Sequence, residues 1–240
     1  MRELSLFTGA GGGLLASKLL GWRTVGCVEH DDYRCRVLEQ RQRDGMLDAC
    51  PIYQMDIRDF NARVAPLYRG VADIVTAGFP CQVNSSAARG NNTARDCWDD
   101  TAECVRIVRP RFVMLENVTG LLARGRGAPR VFGSLAALGY DAQWGCISAA
   151  EAGAPHPRAR VWIVARDADS HSEPGRPVDA EMARVSSLGW PDFPDDVGMG
   201  DGVASRMERF AAVGDGQVPR VAALAWRVLS AALAPEGEES

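Results

Sequence analysis

Short blocks of apolar residues recur along this chain, and their period switches in a regular order. Mostly apolar runs at 3–7, 24–28, 52–55, 72–77 and 111–115 have the length of buried strands. After the first run, Leu14, Leu15, Leu19 and Leu20 continue at helical spacing. Helices are also predicted over 31–42, 101–108 and 130–138, and two strands joined by a turn over 140–147 and 160–165. A closing helix carries Val221, Leu224, Ala225, Val228 and Leu229 on one stripe, with Pro219 near its first turn. Strands alternating with helices indicate an α/β fold, with a mostly parallel twisted sheet and helices on both faces.

From 167 to about 202 this periodicity vanishes, and Pro, Gly, Ser and acidic residues dominate. The pattern divides the chain into a main unit at 1–166, an insertion at 167–202, and a return segment at 203–240 whose helix completes the main unit. The last residues, Pro235 to Ser240, form an acidic tail. With 240 residues, 46% of them hydrophobic, the chain can bury one large core. No apolar run approaches a membrane span and no signal-peptide pattern opens the chain, so a cytoplasmic protein without a membrane partner is expected. Seven cysteines without a C-x-x-C pair indicate neither a disulfide framework nor a zinc ribbon, and no metal is expected. A net charge of −4 argues against a uniformly basic coat, though not against a local basic face.

The candidate chemistry gathers at strand ends, the edge where ligands bind in open α/β sheets. Thr8-Gly9-Ala10-Gly11-Gly12-Gly13 forms a strand–glycine turn–helix unit, in which the backbone can approach a ligand and the helix N-terminus offers free N–H groups. Glu29 ends the second strand about twenty residues later, where an acid binds ribose hydroxyls in Rossmann-type units. Asp56, followed by Ile57, ends the third strand; a carboxylate beside an apolar side chain suits an adenine ring. Gly78-Phe79-Pro80-Cys81-Gln82 ends the fourth strand and sets a thiol on a proline-stiffened ledge. A long polar segment follows it, read as a mobile loop. Glu116 ends the fifth strand on the same edge. Arg158 and Arg160, two apart on a strand, share one face and would favour thiolate if pointed at the thiol.

These motifs, in this order, resemble the DNA (cytosine-5)-methyltransferase family. The resemblance covers most of residues 3–165 and 203–233. It implies a Rossmann-like S-adenosylmethionine-dependent methyltransferase fold with a very small target-recognition insertion. Phe7, Thr8, Gly9, Gly11 and Gly12 match its first cofactor motif; Glu29, with His30 beside it, and Asp56, with Ile57, match its ribose and adenine positions. Gly78 and Pro80 lead into the nucleophile motif, Pro80-Cys81-Gln82. Glu116-Asn117-Val118 and Arg158-Ala159-Arg160 match the next two motifs, and Gly214 to Pro219, with Asp215 and Val218, the segment that completes the cofactor pocket. Gln82, Ser85, Arg95 and Asn117 are implied on the substrate side. The chain departs from the pattern at His156, usually Gln, at Asp215, usually Asn, and at Asn84, often aromatic.

The implied reaction adds the Cys81 thiolate to C6 of a flipped cytosine and methylates C5 from S-adenosylmethionine. Glu116 would act at N3 and Arg160 at O2, with Arg158 orienting Glu116 or the loop. Arg89, Arg95, Arg106, Arg109, Arg124 and Arg126 are candidates for phosphate contacts. The expected partner is double-stranded DNA, read at a short or degenerate site because the insertion is small; a partner protein or oligomeric neighbour could supply further contacts. A cognate restriction endonuclease and a bacterial or phage-infected host cell belong to the same expectation. The alternatives are an RNA (tRNA) cytosine-5 methyltransferase and a catalytically idle DNA-binding relative. A nicotinamide-dependent oxidoreductase would leave Cys81, Glu116 and the arginine pair unexplained together.

Overall fold

Seven strands form one sheet: β1 (Arg2–Leu6), β2 (Arg23–Glu29), β3 (Ile52–Gln54), β4 (Ile74–Ala77), β5 (Phe112–Val118), β6 (Tyr140–Ile147) and β7 (Arg160–Asp167). The structure is a computed structural model that describes residues 1–80, 96–124, 126–169 and 216–233. The strand order is β3-β2-β1-β4-β5-β7-β6. Strands β1 to β5 pair in parallel, while β7 runs antiparallel to both β5 and β6. Helices α1 (Gly12–Leu19), α2 (Asp32–Arg43), α3 (Ile57–Arg63), α4 (Trp98–Val108), α5 (Ala128–Ala137) and α6 (Pro219–Ala231) flank it. The α/β class and mostly parallel sheet expected from the sequence are those observed.

Side chains on a strand alternate between faces, and here each face buries its own core. Val75, Ala77, Val113, Leu115, Val161 and Ile163 join Phe60, Trp98, Val105, Val131 and Leu135 from α3, α4 and α5. On the opposite face Ile74, Met114, Trp162 and Val164 meet Ala16 of α1 and Val221, Leu224, Ala225 and Leu229 of α6. The stripe predicted for the closing helix is thus largely its buried side. A small third cluster, Leu14, Cys27, Leu38 and Leu47, packs α2 beside β2.

Helix α3 lies in a stretch for which no helix is predicted from the sequence. Asp56 starts it as an N-cap, accepting from Arg58 N at 2.9 Å. Phe60, fully buried, packs its ring against Tyr53 and Tyr68, with centroids 5.3 and 6.0 Å away. Strand β5 runs on through Asn117 and Val118, so Glu116 sits inside a strand and not at its end. Among the described residues, no helix is long and apolar enough to cross a membrane.

Glu3 is an acid in the interior. It is 1% exposed, between Thr24 Oγ1 at 3.0 Å and Thr76 Oγ1 at 2.7 Å. Burial pushes its carboxyl above the ordinary value, against hydroxyl groups that favour the ionised form. A carboxyl raised by folding holds its proton better folded than unfolded. Its contribution to stability is therefore complete below about pH 4.5 and is lost as pH rises through the folded value. Glu3→Gln should melt higher than the parent at neutral pH, with the gap closing towards pH 4.5. Melting curves with a gap independent of pH would contradict this.

Candidate active site

Strand order reverses at β1, which has β2 on one side and β4 on the other. A cleft of about 400 Å³ opens at the carboxyl ends of these strands. Its walls come from Ser5 to Gly9 after β1, Glu29 and His30 after β2, and Thr76 to Pro80 after β4. Glu116 to Val118, Arg158, Arg160, Gly216 and Gln217 close the far side. Six separate stretches of the chain therefore meet at one place.

Residue parity decides which side chains face the cleft. Ile74 and Met114 lie on the α1/α6 face, so Thr76 and Glu116, two residues further along the same strands, face that way too. Glu29 is 3% exposed and accepts from Gly9 N at 2.7 Å, His30 N at 2.9 Å and Asp31 N at 3.0 Å. It binds the glycine turn to the end of β2. Charge-assisted bonds of this kind are stronger than neutral ones. Thr8 adds a second tie, its amide donating to Val28 O at 3.1 Å.

Glycines act here as spacers. Gly11 has φ +92°, and a Cβ on it would stand 3.0 Å from Leu38 and 3.1 Å from Leu47. A Cβ on Gly12 would overlap the Gln217 carbonyl oxygen. Both glycines allow close packing, and neither is among the residues that line the cleft. Gly78 does line it. A Cβ there would lie 3.2 Å from both Gln217 Nε2 and Glu116 Oε2, so these two polar heads converge over its bare backbone.

Arg160 Nε lies 2.9 Å from Glu116 Oε1, with the Glu116 side chain 9% exposed. Arg160 thus holds Glu116 in place. Arg158 precedes β7, and its Nη2 donates to Gly216 O at 2.9 Å, holding the return segment. Asn117 faces the other way along β5; its Nδ2 donates to Phe79 O at 3.0 Å and fixes the segment leading to Pro80. Asn117 is also among the residues that line the cleft.

Asp56 caps α3 with its carboxylate and Ile57 is buried in the core; neither is among the residues that line the cleft. His30 and Arg34 line it beside Glu29. Val218 caps α6 and packs against the α6-side core, while its neighbours Gly216 and Gln217 reach the cleft. Gln217 was within the return motif but not singled out; its position between Asp215 and Val218 is the only sequence signal for it. Phe7, Thr8, Gly9, Glu29, His30, Gly78 and Pro80 all line the cleft. Cys81, Gln82, Ser85, Arg95 and Asp215 lie outside the described residues, as does most of the segment read as a loop and the 167–202 insertion. Of the arginines expected at phosphates, Arg106 pairs with Glu103 at 2.7 Å and Arg109 with Asp167 at 2.9 Å.

This fold and cleft are those of a Rossmann-like methyltransferase. Residues 1–196 match the family model for C-5 cytosine-specific DNA methylase, and the chain belongs to that family. It is 30% identical over 167 residues to the Type II methyltransferase M.NgoMIV of Neisseria gonorrhoeae, covering 68% of this chain and 51% of that protein. It is also 30% identical over 169 residues to M.DsaV of Dactylococcopsis salina, covering 68% and 45%. The chain spans about half the length of the curated relatives it matches. In fold it is similar to a putative DNA modification methyltransferase encoded within an E. coli prophage, with TM-score 0.56 and 20% identity over 81% of this chain and 56% of that one. A Spodoptera frugiperda DNMT2 mutant gives TM-score 0.55 and 17% identity over 70% and 50%.

Gly12→Ala should force Gln217 and the start of α6 away from α1. The expected cost is about 1–3 kcal/mol, as for other overpacked contacts. Urea denaturation measures it, and an unchanged midpoint would contradict the close approach.

Proposed function

We propose that this chain transfers a methyl group from S-adenosylmethionine to C5 of cytosine in double-stranded DNA. The observation that carries the reading is the convergence, in one cleft, of the Glu29-clamped glycine turn, the Glu116–Arg160 pair and Pro80, the residue before Cys81.

The donor set suits the cofactor. Glu29 offers a buried carboxylate at the β2 end to a ribose diol, using lone pairs left beside its three backbone bonds. His30 and Arg34 form the wall beyond it, and Phe7 and Thr8 the floor. When bound, the cofactor supplies an electrophilic methyl group on a sulfonium. The bare backbone of Gly78 lets the Glu116 carboxylate and the Gln217 amide draw together at the cleft.

Cytosine C5 is too weak a nucleophile unaided. The Cys81 thiolate forms a bond to C6, and electron density moves to C5, which then takes the methyl group. Glu116 shares a proton at N3 and so limits the charge building on the ring. Arg160 holds the Glu116 carboxylate in place from 2.9 Å. Loss of the C5 proton expels the thiolate and restores the aromatic ring. The carbon is inaccessible inside a duplex, so the base must leave the stack.

Labelled methyl transfer from S-adenosylmethionine to duplex DNA, compared with tRNA, tests the reading. DNA should be labelled and tRNA should not, and Cys81→Ala should abolish labelling. Labelling confined to tRNA, or labelling that survives Cys81→Ala, would contradict it. Glu29→Ala removes the clamp on Gly9 as well as the ribose acceptor. It should weaken cofactor binding by about 1–3 kcal/mol, read by calorimetry. Unchanged affinity would move the ribose elsewhere.

A further inference from the structure

Seven cysteines are more than the proposed reaction uses, and two of the others touch. Cys27 Sγ in β2 and Cys50 Sγ, on the segment between α2 and β3, lie 3.5 Å apart. Cys27 is buried and Cys50 partly exposed, so one sulfur is reachable and the other waits behind it. The contact is held from several sides. Cys27 N donates to Pro51 O at 3.0 Å, and Gln42 Nε2 of α2 donates to Cys50 O at 3.0 Å while approaching its sulfur at 3.4 Å.

We propose that Cys27 and Cys50 are a redox-modifiable dithiol that reacts with a low-molecular-weight disulfide and, once oxidised, weakens the cofactor site. The step balances. The Cys50 thiolate attacks one sulfur of the small disulfide, forming a mixed disulfide and expelling one thiolate. Cys27 loses its proton to solvent base and attacks Cys50 Sγ, expelling the second thiolate. Two protein thiols lose two electrons, and the small disulfide takes them up as two thiols. The electrostatics suit this order. The hydrogen bond from Cys27 holds the Cys50 thiol below its ordinary value, and the same contact, with burial, pushes Cys27 up. Cys50 is therefore the thiol that ionises first and attacks.

The consequence for the cofactor site follows from what surrounds Cys27. Cys27 immediately precedes Val28, whose carbonyl oxygen accepts from the amide of the cleft-lining Thr8 at 3.1 Å. It packs with Leu38 and Leu47, the two side chains that bound the space under Gly11. Two residues along β2 stands Glu29, which clamps Gly9. A disulfide needs its sulfurs about 2.0 Å apart. Closing from 3.5 Å shifts Cys27 relative to Leu38 and Leu47, the side chains packed under the glycine turn. The glycine turn is thereby loosened from below.

The test uses the full chain carrying Cys81→Ser, so that the reacting thiol of the proposed function is absent. It is treated with oxidised glutathione and compared with the reduced protein. Peptide mapping should find Cys27 linked to Cys50. Amide hydrogen exchange over residues 8–13 should quicken, S-adenosylmethionine affinity should fall about fivefold or more, and dithiothreitol should reverse both. Adding Cys50→Ser should leave the reduced behaviour intact and remove the response. Glutathione retained on Cys50 with Cys27 free would overturn the proposal, as would a Cys27–Cys50 link that leaves exchange over 8–13 unchanged. Only the affinity measurement rests on the methyl-transfer reading. A reduced protein that fails to bind the cofactor would count against that reading, while mapping and exchange still decide the dithiol.

Discussion

Gly12 and the carbonyl of Gln217 meet so closely that no side chain fits between them. That contact joins the first helix of the chain to the last, and the cleft depends on it. Gln217 then reaches over Gly78 towards Glu116, and Arg158 secures the neighbouring Gly216 carbonyl from the start of β7. Without the return segment the cleft would lose one wall and the carbonyl anchor of Arg158. The apolar stripe of α6 supplies the energy of docking, and the glycines set how near it can come.

Three buried carboxyl groups stand on the face of the sheet that packs α1 and α6, and each is accommodated differently. Glu3 sits among hydroxyls with its carboxyl pushed up by burial. Glu29 is satisfied by three backbone N–H groups, which makes it a clamp as well as a candidate ribose acceptor. Glu116 is paired with Arg160 at the mouth of the cleft. An unpaired buried charge is costly, so each environment is also a statement about what the acid can do. The first is a structural acid, the second positions backbone, and the third is held by an arginine in the cleft.

Much of this was legible in the sequence, and the gaps have physical causes. The buried strands stood out as short apolar runs, because parallel strands covered on both faces are apolar throughout. The acids at 29 and 116 stood out because a charge next to such a run needs a reason. Helix α3 did not stand out: it is short, and between Ile57 and Phe60 it shows only polar residues. The capping role of Asp56 was not legible, since an acid at a strand end has the same sequence signature as a cap and as a ligand. The pairing of Arg160 with Glu116 and of Arg158 with the Gly216 carbonyl was not legible, because β7 begins at Arg160 and strand starts are poorly defined by sequence. The packing of Gly11 against leucine side chains and of Gly12 against a carbonyl oxygen is a long-range contact that leaves no local signal.

The central claim is that a thiol beside Pro80 adds covalently to cytosine in a cleft that also holds the methyl donor. Intact-mass analysis of the protein with a duplex containing 5-fluorocytosine tests it most directly. Fluorine at C5 cannot leave as a proton does, so the adduct should persist, form only with S-adenosylmethionine present, and map to Cys81. No trapped species, or one that forms equally well in Cys81→Ala, would contradict the account.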